Sequence, residues 1–255
     1  MTDAGRDYLD ECETTLRRLE AAHEMLGSHR TKPHGTLRLS VPMAFGREFL
    51  APMLRHFLGD YPEIRVEIIL HSGKLSGSLD DDLDFLIQLG EPKDSSLRVK
   101  TFPPVLRRLY ASPKYIEARG LPADPSALRE HSCIGGTPKS SEVWHFKSAA
   151  ENQTVNLLPR ISVADPVIQK QLAADGLGIA QLPVWTALPG VEAGNLIVIL
   201  PEWQPKSLHY HALYAERSAM TPKIKVFLNF LERFIATEYD PRSGHYPFLD
   251  IFQIA

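Results

Sequence analysis

The sequence predicts an α/β fold of two subdomains preceded by one long helix. Three observations carry that expectation. Apolar residues repeat with heptad spacing through the first thirty positions. From about residue 35, strand-like and helix-like segments alternate as strand, helix, strand, helix, strand. The same alternation resumes after residue 103 with different turn residues. Consecutive βαβ units of this kind build parallel sheets with right-handed crossovers.

The opening stretch, DYLDECETTLRRLEAAHEMLGSH, places Leu9, Cys12, Leu16, Leu19, His23 and Leu26 at alternating spacings of 3 and 4. That is an a/d seam, the pattern by which two helices supercoil. Glu11, Glu13, Arg17, Arg18, Glu20 and Glu24 between them are good helix formers. Gly27 and Pro33 close the segment. The stripe can pack on its own domain or on a partner helix. Its narrowness and the separating stretch GSHRTKPHG favour the partner.

TLRLSV alternates as a strand, with Leu37, Leu39 and Val41 on one side. AFGREFLAPMLRHFLGDYP carries Phe49, Leu50, Met53, Leu54, Phe57 and Leu58 at helical period, with Pro52 kinking it or lying early in it. IRVEIIL is an alternating strand. A polar, helix-like connection leads to the short strand FLIQLG. RRLYASP then reads as a strand entering the helix KYIEARG, and DPSALREH as a short helix capped by Asp124. SCIGG, VWHFK, RISVAD, GIAQLP and NLIVILP are strand candidates, with the helix PVIQKQLAADG running from Pro166 to a stop at Gly176. LHYHALYA alternates, and Thr221 and Pro222 open the amphipathic helix TPKIKVFLNFLERFIA. The last residues match no period.

The totals narrow the function classes. With 44% hydrophobic and 23% charged residues the chain has the make-up of a globular protein with real cores. A net charge of -3 does not point to nucleic acid or an anionic membrane as a direct partner. Cys12 and Cys133 have neither CxxC nor zinc spacing, which suits a reducing compartment. There is no signal-peptide core and no run of ~18 apolar residues. A cytoplasmic chain without a membrane partner is expected.

Motifs for chemistry are weak. GLGIA is an incomplete dinucleotide loop and reads better as a helix-ending glycine feeding a strand. GxSxG, HExxH and the P-loop are missing from the sequence. His209 and His211 share a strand face but lack a third metal ligand. Asp80, Asp81, Asp82 and Asp84 read as a solvated helix end, and Arg107 and Arg108 as surface charges. No catalytic residue, metal site or cofactor is expected, so the chain reads as a binding protein and not an enzyme. Ligands of open α/β sheets sit beyond the carboxyl ends of the strands. Here those places are PMAFG, HSGK and the ADP that precedes the middle helix.

Taken together, GTLRLSVPMAFGREFLAPMLRHFLGDYPEIRVEI, SPKYIEARGLPADPSALREHSCI and DGLGIAQLP resemble the effector-binding domain of LysR-type transcriptional regulators, and the opening helix resembles their linker helix. The likeness runs from about residue 2 to 234. It implies two Rossmann-like subdomains of periplasmic-binding-protein type, with the final strand and helix returning to the first. The expected division is a dimerisation helix over 1–30, subdomain 1 over 35–102 plus 203–236, subdomain 2 over 103–202, and a tail over 237–255. Residues 1–5 resemble the end of a winged helix-turn-helix, whose upstream part this sequence does not show.

The resemblance further implies a small-molecule effector bound in the cleft between subdomains. By position it would meet Pro42, Met43, Ala44 and Phe45 after the first strand, and Ser72 and Gln88 at the next strand ends. The second subdomain would add Gly135, Gly136, Ala164 and Asp165, at a helix start whose N–H groups suit an anion. Met43 and Ala44 stand where relatives often have Ser or Thr, Gln88 where they often have Arg, and Ala164 where they often have Asn. The expected pocket is therefore less suited to a strongly anionic ligand. Implied partners are a second copy in a homodimer or higher oligomer, or full-length relatives, and DNA only through an N-terminal reading domain. A cytoplasmic solute-binding protein without a transcriptional role is the alternative, and an enzyme on this fold the third reading.

Overall fold

The computed structural model describes residues 1–26, 33–71, 82–92, 97–136, 141–216 and 221–238. The expected connection after the second strand, Ser72, Asp80, Asp81 and the tail beyond 238 lie outside the described residues. In chain order the elements begin with α1 (Asp3–Leu26), β1 (Gly35–Pro42), α2 (Met43–Phe45), a π-turn (Gly46–Leu50), α3 (Ala51–Asp60), β2 (Ile64–His71), β3 (Phe85–Leu89) and β4 (Arg98–Val105). Next come β5 (Arg107–Ala111), α4 (Pro113–Arg119), a 3₁₀ helix (Pro125–Glu130), β6 (Cys133–Gly135), β7 (Glu142–Lys147), β8 (Asn152–Leu157) and β9 (Ile161–Ser162). The chain continues through α5 (Pro166–Ala174), β10 (Ile179–Pro183), α6 (Val184–Glu192), β11 (Ile197–Ile199), β12 (Gln204–Pro205), β13 (Leu208–Tyr214) and α7 (Pro222–Glu238).

The chain divides into two compact units. The first holds Met1–Pro42, Phe49–Phe102 and His211–Glu238; the second holds Met43–Glu48 and Pro103–Tyr210. The chain leaves the first unit within β4 and returns to it within β13. The return comes at His211, later than residue 203 where the sequence placed it, because β12 and its neighbours still pair inside the second unit.

In the first unit, β1 lies between β2 and β3, parallel to both, in a sheet of order β2-β1-β3-β13-β4. Leu37, Leu39, Val41, Phe85 and Ile87 are fully buried. Phe57 of α3 meets Phe227 of α7 edge-on at 5.0 Å, and Phe85 lies 5.3 Å from the same ring. Such aromatic contacts add to the area they bury. Pro52 falls in the first turn of α3, and the preceding turn is wound as a π-helix. Proline has no N–H for the carbonyl four residues back and its ring crowds that carbonyl, so the turn before it widens. The expected burial alternation on β2 does not occur. Ile64 is buried, but Ile68, Ile69 and Leu70 are 39–57% exposed on this edge strand.

In the second unit, the sheet β11-β5-β10-β6-β9 is buried on both faces. Leu109 and Ile179 pack with Trp144, Phe146 and Val155 of the three-stranded sheet β12-β7-β8. On the other face Tyr110, Ala180 and Leu182 pack with Ala173 of α5 and Ala187 of α6. Small residues at those helix positions let the helices approach the sheet closely. GLGIA ends α5 and starts β10, as the sequence indicated. Gly176 takes a positive φ of 84° and Leu177 N–H returns to Leu172 O at 3.0 Å. A Cβ on Gly178 would collide with Ser132 O, the acceptor of Ile179 N–H.

Candidate functional site

In the first unit the strand ends form a row. β1 and β2 pair in register up to Pro42 opposite His71. β1 and β3 pair at Leu39 with Phe85 and Ser40 with Leu86. Two residues further on, that register sets Pro42 beside Gln88. Parallel neighbours share a face, so His71, Pro42 and Gln88 stand together at the carboxyl edge. Gln88 is buried. His71 Nε2 lies 3.0 Å from Ile87 O. A carbonyl only accepts, so Nε2 carries a proton, and in the neutral imidazole Nδ1 then holds a lone pair. Pro42 has no N–H to offer β3 at this level, and the imidazole supplies a donor instead. Nδ1 itself is buried without a hydrogen-bond partner among the described residues. The sequence placed HSGK at this edge but singled out Ser72 within it and not His71, the polar residue that closes the strand.

The other predicted residues belong to the second unit. Met43 is 41% exposed, whereas Ala44 and Phe45 are buried, Phe45 meeting Tyr210 edge-on at 4.6 Å. Burial, with Glu48 adding to it, raises the Tyr210 hydroxyl above its usual range. Glu48 follows on the same segment. Burial raises its carboxyl, Lys170 and Arg47 oppose the rise, and Asp165 adds to it.

Gly135 and Gly136 close β6, and Gly135 pairs with Ser162 at the end of β9. Ala164 is exposed and Asp165 caps α5. Gln169 ties these two strand ends together, its Nε2 donating to Val163 O at 2.7 Å and Gly135 O at 3.1 Å. Glu142 lies over the glycines. It accepts the Gly136 N–H at 2.8 Å and the Trp144 indole N–H at 2.9 Å, and a Cβ on Gly135 would sit 2.6 Å from its Oε2. Neither Gln169 nor Glu142 was expected; only folding brings them to the glycines.

One expectation is corrected here. The first N–H groups of α5 are not free for an external anion. Asp165 Oδ1 takes those of Val167 and Ile168 at 2.8 and 3.0 Å. The carboxylate already occupies the positive end of the helix, and Glu48 adds a second acidic group near it.

Three charged readings also change. Asp84 is not a solvated helix end. Its side chain is 18% exposed, accepts the Arg38 N–H at 2.8 Å and pairs with Lys223 at 3.5 Å. Burial raises its carboxyl, and Lys223 is the chief opposing influence. Arg107 is not a surface charge. Burial lowers its guanidinium to about 10, and it donates to Lys206 O. Arg108 donates to Pro201 O at 2.8 Å, so both arginines hold the chain segment that follows β11. His211 is buried against Thr101 Oγ1 at 3.0 Å from its Nδ1. Among the described residues no three His, Cys, Asp or Glu side chains gather where they could hold a metal ion, and no helix is long and apolar enough to cross a membrane.

Two α/β units with polar residues at their strand ends can now be set beside known proteins. A family profile described as the LysR substrate binding domain matches residues 30–236. The chain belongs to the LysR substrate-binding-domain family. It is 30% identical to the HTH-type transcriptional regulator CrgA of Neisseria meningitidis serogroup C over 234 residues, covering 91% of this chain and 77% of that one. It is 28% identical to a probable HTH-type transcriptional regulator, LtrA, of Klebsiella pneumoniae, covering 91% of this chain and 76% of that one. The solved structure of CrgA from Neisseria meningitidis superposes with a TM-score of 0.69 at 26% identity, over 91% of this chain and 79% of that chain. The LysR fold explains the architecture of two Rossmann-like units of periplasmic-binding-protein type.

Proposed function

We propose that this LysR-family chain is the effector-sensing and dimerisation part of a transcriptional regulator, and that a small metabolite bound at the carboxyl ends of its strands controls DNA-dependent transcription. The match of the LysR substrate binding domain over residues 30–236 carries this reading. Relatives named as transcriptional regulators support its regulatory half. Polar groups at the strand ends of the first unit support its ligand half, namely Gln88 and His71. Met43, which is exposed, follows Pro42 of that row directly in the chain. The ligand is held and released unchanged, with no residue assigned to chemistry. Residues of α1 pair two copies.

A small-molecule binding protein without a transcriptional role is the second reading. Exposed Leu9, Leu16 and Leu19 on α1 favour the first, since a monomeric solute receptor gains nothing from an uncovered seam.

Thermal melting against a panel of small metabolites tests the ligand site. At a hundredfold excess over its dissociation constant, a true effector stabilises the fold by about 3 kcal/mol. Met43→Trp should abolish that shift while leaving the melting temperature without ligand nearly unchanged. A shift that survives the substitution places the site elsewhere.

A further inference from the structure

The proposed effector site has one wall whose hydrogen-bonding sense the structure defines. His71 donates from Nε2 to Ile87 O. In neutral imidazole this leaves Nδ1 as an acceptor, and that atom is buried with no hydrogen-bond partner among the described residues. A buried acceptor without a partner is costly, and a ligand group that donates to it relieves the cost. Gln88 stands two strands away in the same row, buried and uncharged. Pro42 between them offers no N–H. With the imidazole neutral, the row therefore offers a lone pair and an amide. A carboxylate brought against the Nδ1 lone pair would meet acceptor with acceptor. A hydroxyl donates to Nδ1 and can in turn accept from the Gln88 amide.

We infer that His71 and Gln88 select an uncharged hydroxyl on the effector, phenolic or alcoholic, and exclude a carboxylate from this wall. The inference rests on the effector-sensing reading and deepens it.

The test uses the full chain labelled with ¹⁵N-histidine, with the imidazole nitrogens followed by long-range ¹H–¹⁵N correlation. Phenol, its methyl ether anisole, and benzoate are the probes, and the His71 signals are assigned by their loss in His71→Gln. Phenol should move the His71 Nδ1 resonance upfield, the direction of an accepted hydrogen bond, while anisole and benzoate leave it in place. His71→Gln can still donate to Ile87 O through its amide but has no lone pair at the Nδ1 position. It should weaken phenol binding at least tenfold. If that variant fails to fold, His71→Asn serves for the assignment and the comparison of phenol with anisole on the unaltered chain decides. An unmoved Nδ1 signal, or equal movement with benzoate, overturns the inference. If metabolites still give a Met43-dependent thermal shift in that case, the effector-sensing reading survives. If no compound binds at all, both fall.

Discussion

Asp84 shows how a single residue of this chain couples to pH. Its carboxyl sits among Lys223, the Arg38 N–H and the end of β3, where burial raises it above the ordinary 3.8. The native state therefore keeps this proton at pH values where the unfolded chain has released it. For a folded value above the unfolded one, the contribution to stability is full below 3.8 and is lost as pH rises through the folded value. Asp84→Asn removes the titration, because an amide has no proton to lose there. Urea midpoints of the two proteins, compared between about pH 4 and pH 7, should move in favour of the variant as pH rises. A difference that stays flat would show that Lys223 fully offsets burial. The aspartate-rich run did not reveal this in the sequence. Asp84 looks like its neighbours in composition and differs only in facing a lysine 139 residues later in the chain, at α7.

At the scale of elements, α1 carries the clearest prediction. Leu16 and Leu19 are 60% and 56% exposed, so nothing among the described residues covers that part of the seam. Thr2 starts the helix, its Oγ1 accepting the Gly5 N–H at 3.2 Å. Replacing both leucines by lysine keeps helix propensity and puts two like charges into any paired seam. Light scattering should then report a shift from dimer toward monomer. A double variant that remains fully dimeric would place the dimer contact on another surface. Long periodic elements such as α1, β1 and α7 were legible in the sequence because each presents one apolar face over many residues. Short or irregular ones were not. Asn152–Leu157 is too polar on its outer side to show as β8, and α6 carries Pro189 inside an almost uniformly apolar run, so it reads as no helix. The capped segment after Asp124 is a 3₁₀ helix, a distinction that spacing alone does not make.

At the scale of the molecule, the second unit hides a thiol that reports on its opening. Cys133 lies in the core with Leu109, Trp144 and Ile179, and burial pushes its thiol up to about 12. Thiolate is the reactive form. With Cys12 changed to serine, an aromatic disulfide reagent at about pH 8, below the reference thiol value, should find no reactive group in the native protein. One thiol should then appear in step with urea unfolding followed by circular dichroism. Rapid reaction without denaturant would mean that the unit opens locally well below its global stability. The units themselves are drawn by long-range pairing. Phe102 and Pro103 are neighbours in one strand yet belong to different units, and the same holds for Tyr210 and His211.

The sequence by itself determined the α/β class, the order of the principal elements, the family and the heptad helix. These follow from periodic burial and turn chemistry, which act over a few residues and leave their mark in the local order of side chains. It also named the strand ends where Pro42, Gln88, Gly135 and Asp165 stand, since βαβ order places those ends on one edge. Tertiary structure alone decided which groups there remain available. Asp165 spends its carboxylate on its own helix, Glu142 and Gln169 take up the backbone groups around the β6 glycines, and the buried Nδ1 of His71 is left unpaired among the described residues. Hydrogen bonds between residues far apart in the chain make those choices, and a partner that only folding brings within 3 Å or so leaves no trace in the spacing of the sequence.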